Sequence, residues 1–198
     1  MPDRIRDLYQ ENAIAWDRLR SRALFERPWL ERFAALLPDG ASVLDVGCGS
    51  GEPIAGWLIG RGFAVAGIDS SPALIALAGK RFPDADWRVA DMRALDLGRR
   101  FAGLVAWHSL FHLRPEEQRA MFGRLAAHAA PGAALLFTSG SKAGEAIGEW
   151  QSEPLYHASL DPAEYDALLA AHGFALVERR LHDPDCGEAS VWLARRRK

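Results

Sequence analysis

Three glycines at alternate positions follow a short aliphatic run, and they are the first residues in the chain whose type and spacing suggest chemistry. Gly47, Gly49 and Gly51 come directly after residues 43–46, and Glu52 and Pro53 open the segment behind them. Glycine lacks a Cβ, so it adopts positive φ and lets a ligand approach the bare backbone. Proline at a first helical position has a fixed φ and lacks an amide that would be unpaired there. The pattern predicts a buried strand, a tight turn and a helix N-terminus that together cradle a cofactor.

The spacing of these glycines narrows the choice of cofactor. A dinucleotide fingerprint is G-x-G-x-x-G, whereas this chain has G-x-G-x-G, and no Gly-Lys-Ser/Thr follows that would indicate a P-loop. Asp45 lies inside the strand before the turn, where a carboxylate would repel phosphates and suit an ammonium group. Cys48 occupies the turn as a small residue. A tight glycine turn of another α/β protein is the alternative interpretation.

Residues 43–53 resemble motif I of the class I S-adenosylmethionine (SAM)-dependent methyltransferases. The resemblance covers residues 43–139 with specific motifs and the flanks only in outline. It implies SAM as cofactor, S-adenosyl-L-homocysteine (SAH) as product, and a Rossmann-like enzyme of the small, free-standing bacterial type that methylates small molecules. The cofactor contacts that it implies in this segment are Asp45, Gly47, Cys48, Gly49, Gly51 and Pro53.

Acidic residues follow the next two predicted strands, at residues 64–68 and 87–89. Asp69 and Ser70 come roughly 20 residues after the glycines, where an acid can accept both ribose hydroxyls. Asp69 could instead cap a helix, but Ser71 already supplies that cap. The resemblance implies that Asp91 bonds the adenine amino group and that Met92 covers the ring, with a simple turn residue as the alternative for Asp91.

Two histidines follow the fourth predicted strand, residues 103–107. The resemblance puts Trp107 and His108 at the position nearest the sulfonium and the substrate, and His112 lies one helical turn farther on. Imidazole titrates near neutral pH, so either histidine is a candidate general base, with a hydrogen-bonded structural histidine as the alternative. A metal pair has no third ligand in evidence, so we predict no metal. The segment lacks the Asn/Asp-Pro-Pro-Tyr and Pro-Cys motifs of nucleic-acid base methylases.

The flanking segments supply the remaining candidates. Tyr9 and Trp16 lie on a predicted helix over residues 3–20, and in related enzymes this segment folds over the cofactor as a lid. An aromatic face there would attract the sulfonium by roughly 0.5–2 kcal/mol, although plain packing is the alternative for Trp16. Residues 139–160 have no clear period and are predicted to be a functional loop that walls the acceptor pocket. Tyr156 or His157 in that loop is another candidate acid–base group.

The elements that must position these residues alternate along the chain. Five predicted strands, the last over residues 133–138, are separated by helices that begin near Glu52, Ser71 and Pro115, and a helix from Pro28 precedes them. A further helix ends at Gly173, and residues 174–181 and 189–194 predict an antiparallel hairpin. We predict an α/β fold, doubly wound and mostly parallel, with helices on both faces. Seven strands, with the final one inserted antiparallel, are what the resemblance implies.

We expect a single domain over residues 1–198, with a helical lid at 1–40, a cofactor-binding core at 41–139 and a substrate region at 140–198. The 198 residues are 49% hydrophobic and 25% charged, as in a soluble globular protein. A net charge of −2 offers no electrostatic footprint for nucleic acid, and the two cysteines make no disulfide framework. No apolar run of membrane length and no signal peptide is evident, so a cytoplasmic location is expected.

The function that we predict is in-line methyl transfer from SAM to a small-molecule acceptor by a monomer or homodimer. A SAM- or SAH-binding sensor without transferase activity is the alternative. A nucleotide-dependent oxidoreductase on the same sheet is a third possibility, and the glycine spacing opposes it.

Overall fold

Five short, aliphatic segments pair in parallel to form most of one sheet in the computed structural model, which describes residues 4–198. The strand order is β3-β2-β1-β4-β5-β9-β8, and β9 runs antiparallel to both of its neighbours. This confirms the seven-stranded, mostly parallel sheet and the antiparallel hairpin at its edge. The strands of this sheet are β1 (Ser42–Val46), β2 (Ala64–Asp69), β3 (Asp86–Val89), β4 (Phe101–Ala106), β5 (Ala129–Ser139), β8 (Phe174–Asp183) and β9 (Ala189–Arg196).

Helices cover both faces of this sheet because its central strands are apolar on both sides. Leu44 of β1 belongs to a cluster with side chains of the later helices, whereas its neighbour Val43 packs with those of the earlier ones. Alternate side chains of a strand point to opposite faces, so one strand feeds two cores. The helices are α1 (Ile5–Glu11), α2 (Ala13–Leu19), α3 (Arg27–Ala34), α4 (Ile54–Gly60), α5 (Pro72–Arg81), α6 (Pro115–His128) and α7 (Pro162–Ala171).

The predicted loop over residues 139–160 is wrong, because most of it forms a second, two-stranded sheet. Strands β6 (Gly144–Trp150) and β7 (Glu153–Ser159) pair antiparallel around a two-residue turn. Gln151 and Ser152 both have positive φ, of 50° and 65°, as tight hairpin turns require. Neither residue is the glycine, asparagine or aspartate that marks such a turn in a sequence. Most residues of β6 are exposed, so the strand also lacks the buried apolar pattern that would predict it.

The predicted helix over residues 3–20 is two helices, and its first residue lies outside the described part of the chain. Asn12 interrupts it with φ of −108° and ψ of 14°, and the Asn12 side-chain amide donates to the carbonyl of Leu8. Such competition for backbone acceptors explains why asparagine breaks helices. Pro53 also differs from the prediction, because it stands at the N-cap of α4 and Ile54 is the first helical residue.

Helices α1 and α2, which we call the lid, lie against α5. Near the start of α5, Gln10 accepts hydrogen bonds from the Ser71 hydroxyl, at 2.8 Å, and from the amide of Ala73, at 3.0 Å. Near its end, Arg81 forms an ion pair with Asp17 of α2. The lid is therefore attached at both ends of one helix. Among residues 4–198, every helix is too short or too polar to cross a bilayer.

Candidate active site

One cavity of about 390 Å³ opens at the carboxyl ends of β1, β2, β3 and β4. The strand order reverses between β1 and β4, so this is the topological switch point where open α/β sheets bind ligands. The lid and the hairpin β6–β7 also contribute to the walls. Of the predicted site residues, Trp16, Asp45, Gly47, Cys48, Gly49, Asp69, Ser70, Asp91, Met92, Trp107, His108, His112 and His157 line it.

The glycine turn is shaped by close backbone contacts at the end of β1. Gly47 has φ of 81°, and a Cβ added there would lie 2.4 Å from the Cβ of Ser109, so no larger residue fits. The Ser109 hydroxyl donates to the carbonyl of Val46 at 2.7 Å and fixes the segment after β4 against the turn. At Gly49, φ is 55° and an added Cβ would meet open space. The turn therefore presents bare backbone to the cavity.

Asp69, at the end of β2, fixes the turn from the other side. One carboxylate oxygen accepts the amide of Gly49 at 3.0 Å, and the other accepts the amide of Ser71 at 2.9 Å. Burial raises the pKa of Asp69, and these amide hydrogen bonds oppose the rise. A carboxylate offers about four acceptor positions, so each oxygen keeps one for a ligand hydroxyl. The expectation of helix capping and the expectation of ribose binding are thus compatible.

Asp45 and Arg20 bring opposite charges to the same wall. Asp45 is 3% exposed, and burial raises its pKa to about 7, although Arg20 opposes this rise. Arg20 follows the lid, lines the cavity, and donates to the carbonyl of Glu52 at 3.2 Å. A carboxylate and a guanidinium on one wall suit the ammonium and carboxylate groups of an amino acid. Sequence reasoning missed Arg20, because nothing in its local pattern sets it apart from the other arginines nearby.

Asp91 is placed at the cavity but is largely engaged by its neighbour. Arg93 donates its own amide and its guanidinium to the Asp91 carboxylate, with the shortest contact at 2.7 Å, and also reaches Glu117 at 3.2 Å. The hydrogen bond from Arg93 lowers the pKa of Asp91. An adenine amino group would therefore share this carboxylate with Arg93. Met92 lines the same wall, as expected for a residue that covers a ring.

His112 lies between the lid and the hairpin and has a defined tautomer. Its Nδ1 is 3.0 Å from the carbonyl of Tyr156, and its Nε2 is 3.0 Å from the hydroxyl of Tyr9. A carbonyl only accepts, so Nδ1 must bear the proton, and Nε2 then accepts from Tyr9. Burial lowers the pKa of His112 to about 4 and raises the pKa of Tyr9, so both are neutral near pH 7.

Two further histidines and Phe111 complete this wall. Phe111 contacts the rings of both His108 and His157, at centroid distances of 5.6 and 5.1 Å. His108 has φ of 49°, and its amide donates to the hydroxyl of Thr138 at 2.8 Å. Burial lowers the pKa of His108 to about 4 and lowers that of His157 as well. Three uncharged imidazoles and aromatic rings thus face one end of the cavity.

Three predicted site residues do not line the cavity. A Cβ added to Gly51 would meet Trp87 and Phe82, so this glycine serves packing behind the turn. Pro53 caps α4 without reaching the cavity wall. Tyr156 alternates with Leu155 and His157 along β7, and those two line the cavity, so the Tyr156 side chain points to the other face. Tyr156 contributes its backbone carbonyl to the hydrogen bond with His112. Its hydroxyl lies away from the cavity, contrary to the predicted acid–base role.

A family model described as a methyltransferase domain matches residues 16–179. The chain belongs to this methyltransferase-domain family. The match begins in the lid and ends in β8, so it includes the cavity lining from Trp16 to His157. The site that the sequence and the structure define is therefore the site of a methyltransferase domain.

Curated relatives of this methyltransferase domain match about half of it. Over 96 residues it is 38% identical to a dTDP-3-amino-3,6-dideoxy-alpha-D-glucopyranose N,N-dimethyltransferase of Streptomyces fradiae, a match that covers 48% of this chain and 37% of that protein. A dTDP-3-amino-3,4,6-trideoxy-alpha-D-glucopyranose N,N-dimethyltransferase of Streptomyces venezuelae is 35% identical over 101 residues, which cover 50% and 42% of the two chains. The matched region spans about two fifths of these relatives.

Solved structures share the fold over almost the whole chain. A 1,6-didemethyltoxoflavin-N1-methyltransferase of Burkholderia thailandensis, crystallised with 1,6-didemethyltoxoflavin and S-adenosylhomocysteine, has a TM-score of 0.77 at 21% identity, covering 98% of this chain and 88% of its own. The SAM-bound amino pentose methyltransferase CalS10 of Micromonospora echinaspora has a TM-score of 0.69 at 24% identity, with 94% and 96% covered. The methyltransferase domain thus has the Rossmann-like fold of these enzymes.

Proposed function

We propose that this protein transfers a methyl group from SAM to a small-molecule acceptor and leaves SAH as the product. The observation that carries this proposal is one continuous cavity with two chemically different ends. Carboxylates and bare backbone, with Asp45, Gly49 and Asp69, stand at one end, and the neutral imidazoles of His108, His112 and His157 stand at the other. A charged amino acid linked to a nucleoside suits the first end, and an uncharged acceptor suits the second.

The residues at the first end fit the parts of SAM. Asp45 would face the ammonium group and Arg20 the carboxylate of its methionine portion. Asp69 keeps a free acceptor position on each oxygen for the ribose hydroxyls. Gly47 and Gly49 leave the backbone open where a Cβ would obstruct the cavity or clash with Ser109. Ile68, Leu74 and Met92 supply apolar wall, as a nucleobase requires.

The protein has little covalent chemistry to perform in such a reaction. When bound, SAM supplies a methyl group that its sulfonium already activates for in-line displacement. The chain must therefore hold the acceptor in line and exclude water, and good orientation alone is worth about 7–11 kcal/mol of barrier. Trp16 of the lid lines the cavity, and Trp150 of the hairpin meets its ring edge to face at 5.5 Å and supports it from outside the lining.

Tyr9 and His112, at the end of the cavity proposed for the acceptor, can also remove a proton from it. Tyr9 donates its hydroxyl proton to Nε2 of His112, so the lone pairs of the Tyr9 oxygen are available to an acceptor N–H or O–H. A proton lost from the acceptor would pass to the Tyr9 oxygen while the Tyr9 proton moves to His112. Because the pKa of His112 is about 4, such a transfer would follow formation of the new bond to carbon, when the acceptor is most acidic.

Two measurements test this proposal. Calorimetry with SAM, SAH and NAD should give binding of the first two and none of NAD. Radiolabelled SAM incubated with small amines, phenols and a metabolite extract should label a small molecule when the wild-type protein is present. Binding without label in any acceptor would favour the sensor alternative, and binding of NAD alone would favour an oxidoreductase.

The role of the Tyr9–His112 pair is tested on the acceptor that this screen identifies. His112→Ala and Tyr9→Phe should each lower kcat about 100- to 10,000-fold while the SAH dissociation constant changes far less. His128→Ala is a matched control, because His128 is also buried and hydrogen-bonded through both ring nitrogens but lies away from the cavity. Normal turnover in both variants would remove the pair from the proton path.

A further inference from the structure

A nearly buried carboxylate, which does not itself line the cavity, attaches the lid to the glycine turn. Asp17 of α2 is 8% exposed and accepts the Ser50 hydroxyl at 2.5 Å. Arg81, at the end of α5, donates one guanidinium nitrogen to each Asp17 oxygen, with one contact at 2.7 Å. Arg22 adds a weaker contact at 3.4 Å. A two-pronged guanidinium–carboxylate pair of this kind is directional and strong.

Arg81 also binds the glycine turn directly. Of the two guanidinium nitrogens that donate to Asp17, the one with the 2.7 Å contact also donates to the carbonyl of Ser50 at 3.2 Å. Ser50 stands between Gly49 and Gly51 and is 3% exposed. Because the Gly49 amide in turn bonds Asp69, the lid, the turn and the end of β2 form one connected polar network. The hydrogen bond from Arg81 is the main reason that the pKa of Asp17 falls to about 2.

The residue next to Asp17 forms part of the cavity wall. Trp16 lines the cavity, and its ring meets that of Tyr9 edge to face at 4.9 Å. Tyr9 then reaches His112. Adjacent residues of a short helix share one rigid backbone, so a shift of Asp17 away from Ser50 and Arg81 must also move Trp16. The Asp17 contacts therefore help to hold Trp16 at the cavity wall, together with the Gln10 contacts at the other end of α5.

We propose that Asp17 is a positioning residue whose contacts with Arg81 and Ser50 hold the lid closed over bound cofactor and set the rate at which SAH leaves. This inference rests on the proposed function, because SAH must leave after each turnover. The lid residues Tyr9 and Trp16 form part of the cavity wall, so we expect SAH to leave when the lid moves away. The partly buried, charge-assisted bonds of Asp17 must break in that step, and lid opening limits turnover in many enzymes.

A purely structural role for Asp17 would give a different result. Loss of a stabilising ion pair lowers the melting temperature without selecting one step of ligand exchange. Loss of a closing contact raises the population of open lid in the free and the bound protein, which accelerates dissociation and does not slow association of the ligand. The dissociation rate and the accessibility of the lid to protease separate these roles.

The test uses Asp17→Asn, which keeps the shape and removes the charge, and Ser50→Ala. Stopped-flow dissociation of SAH should be about 10- to 100-fold faster in Asp17→Asn and severalfold faster in Ser50→Ala, with association no slower than in wild type. Trypsin should cleave SAH-bound Asp17→Asn faster after Arg18 and Arg20. Glu164→Gln is the control, because it breaks the Arg119–Glu164 ion pair between α6 and α7, away from the cavity.

The outcomes distinguish this inference from the proposed function. Wild-type protein that binds no SAH would overturn the proposed function, and trypsin cleavage of the ligand-free variants would still test the lid contact. Equal cleavage and equal SAH dissociation in wild type and Asp17→Asn, even with a lower melting temperature, would overturn the inference. If Asp17→Asn does not fold, Arg81→Lys keeps the cation, loses the two-pronged contact and must give the same acceleration.

Discussion

Burial raises the pKa of two carboxyl groups in the cavity, and different neighbours oppose the rise at each. Asp69 accepts backbone amides from Gly49 and Ser71, and these bonds favour its ionised form. At Asp45 burial raises the pKa to about 7, and the nearby charge of Arg20 opposes this rise. Hydrogen bonds to the charged form and desolvation act in opposite directions on a carboxyl. Burial therefore raises the pKa of both carboxyls, and at Asp69 the backbone amides oppose that rise.

Replacement of Asp69 should weaken cofactor binding. Asp69→Ala removes the acceptors proposed for the ribose hydroxyls, and each charge-assisted hydrogen bond is worth about 1.5–3 kcal/mol, so the SAM dissociation constant should rise about 10- to 100-fold or more in calorimetry. Asp161→Ala is a matched control, because Asp161 also accepts an amide two residues ahead, at Ala163, but caps the remote helix α7. An unchanged dissociation constant in Asp69→Ala would exclude it from the site.

The charge of Asp45 should make SAM binding depend on pH. Below its pKa of about 7 the carboxyl is protonated, and an ammonium ligand favours the ionised form, so affinity should rise with pH from about 5.5 to 7.5, by at most about tenfold per unit. Above roughly pH 8 the amino group of the ligand loses its own proton and affinity should fall. Asp45→Asn should abolish the rising limb in calorimetry. A rising limb of equal slope in Asp45→Asn would assign it to another group.

The raised pKa of Asp45 also makes the stability of the protein depend on pH, and stability should fall over a range in which SAM affinity rises. A carboxyl whose pKa is raised in the folded state binds more protons there than in the unfolded chain. Its contribution to the free energy of unfolding is therefore largest at low pH and declines as pH rises from about 4 to 7. Urea titrations of wild type and Asp45→Asn across this range should converge at low pH and diverge towards neutral pH, with the Asn variant the more stable.

The residues that line the cavity around the glycine turn could be predicted from the sequence because their placement there depends on residue type and local spacing. Gly47 is required by a positive φ and a 2.4 Å approach to Ser109, and glycine is the residue type that accommodates both. The prediction that the Tyr156 side chain faces the acceptor is wrong because side chains alternate between the two faces of β7. The sequence of this segment shows no clear alternation that would reveal which face Tyr156 takes. Arg20 and the tautomer of His112 depend on contacts between distant segments, so no local pattern encodes them.

At the scale of elements, the hairpin β6–β7 and the lid together wall the acceptor end of the cavity. Leu155 and His157 of β7 line the cavity, and Trp150 of β6 contacts Trp16 of α2. The lid was predicted in outline from the aromatic residues of its helix. The hairpin was missed because its turn places Gln151 and Ser152 at positive φ, and the pairing between strands overrides their local preference.

Replacement of Trp150 should affect the acceptor more than the cofactor. Trp150→Ala removes the edge-to-face contact with Trp16, worth about 0.5–1.5 kcal/mol, so the KM of the acceptor should rise roughly 2- to 13-fold. The SAH dissociation constant should change less than this KM, because the residues proposed to hold SAH, such as Gly49 and Asp69, are bonded to each other and not to Trp150. Ile147→Ala, on the same strand but 56% exposed, should leave both constants unchanged. A larger change in the SAH dissociation constant than in the KM of the acceptor would contradict the proposal that the hairpin serves the acceptor.

For the whole molecule, the strand order brings residues from every third of the chain to one cavity. Tyr9 and Trp16, the turns after β1 to β4, and His157 are distant in sequence and adjacent at the switch point. The alternation of strands and helices predicted an α/β fold without giving the order, because pairing is non-local. The resemblance to a methyltransferase family implies seven strands with the final one inserted antiparallel, and a sheet in which β9 lies between β5 and β8 confirms this.

Because ligand binding would join these distant segments, SAH should stabilise the protein as a whole. A ligand at 100 times its dissociation constant adds about 2.7 kcal/mol to the free energy of unfolding, which for a domain of this size raises the melting temperature by roughly 5–11 °C. Calorimetric scans should show this shift with SAM or SAH and none with NAD. Asp69→Ala at the same SAH concentration should lose most of the shift, whereas Glu164→Gln should retain it. A shift with NAD alone would reject the proposed cofactor, and an equal shift in Asp69→Ala would place SAH elsewhere in the molecule.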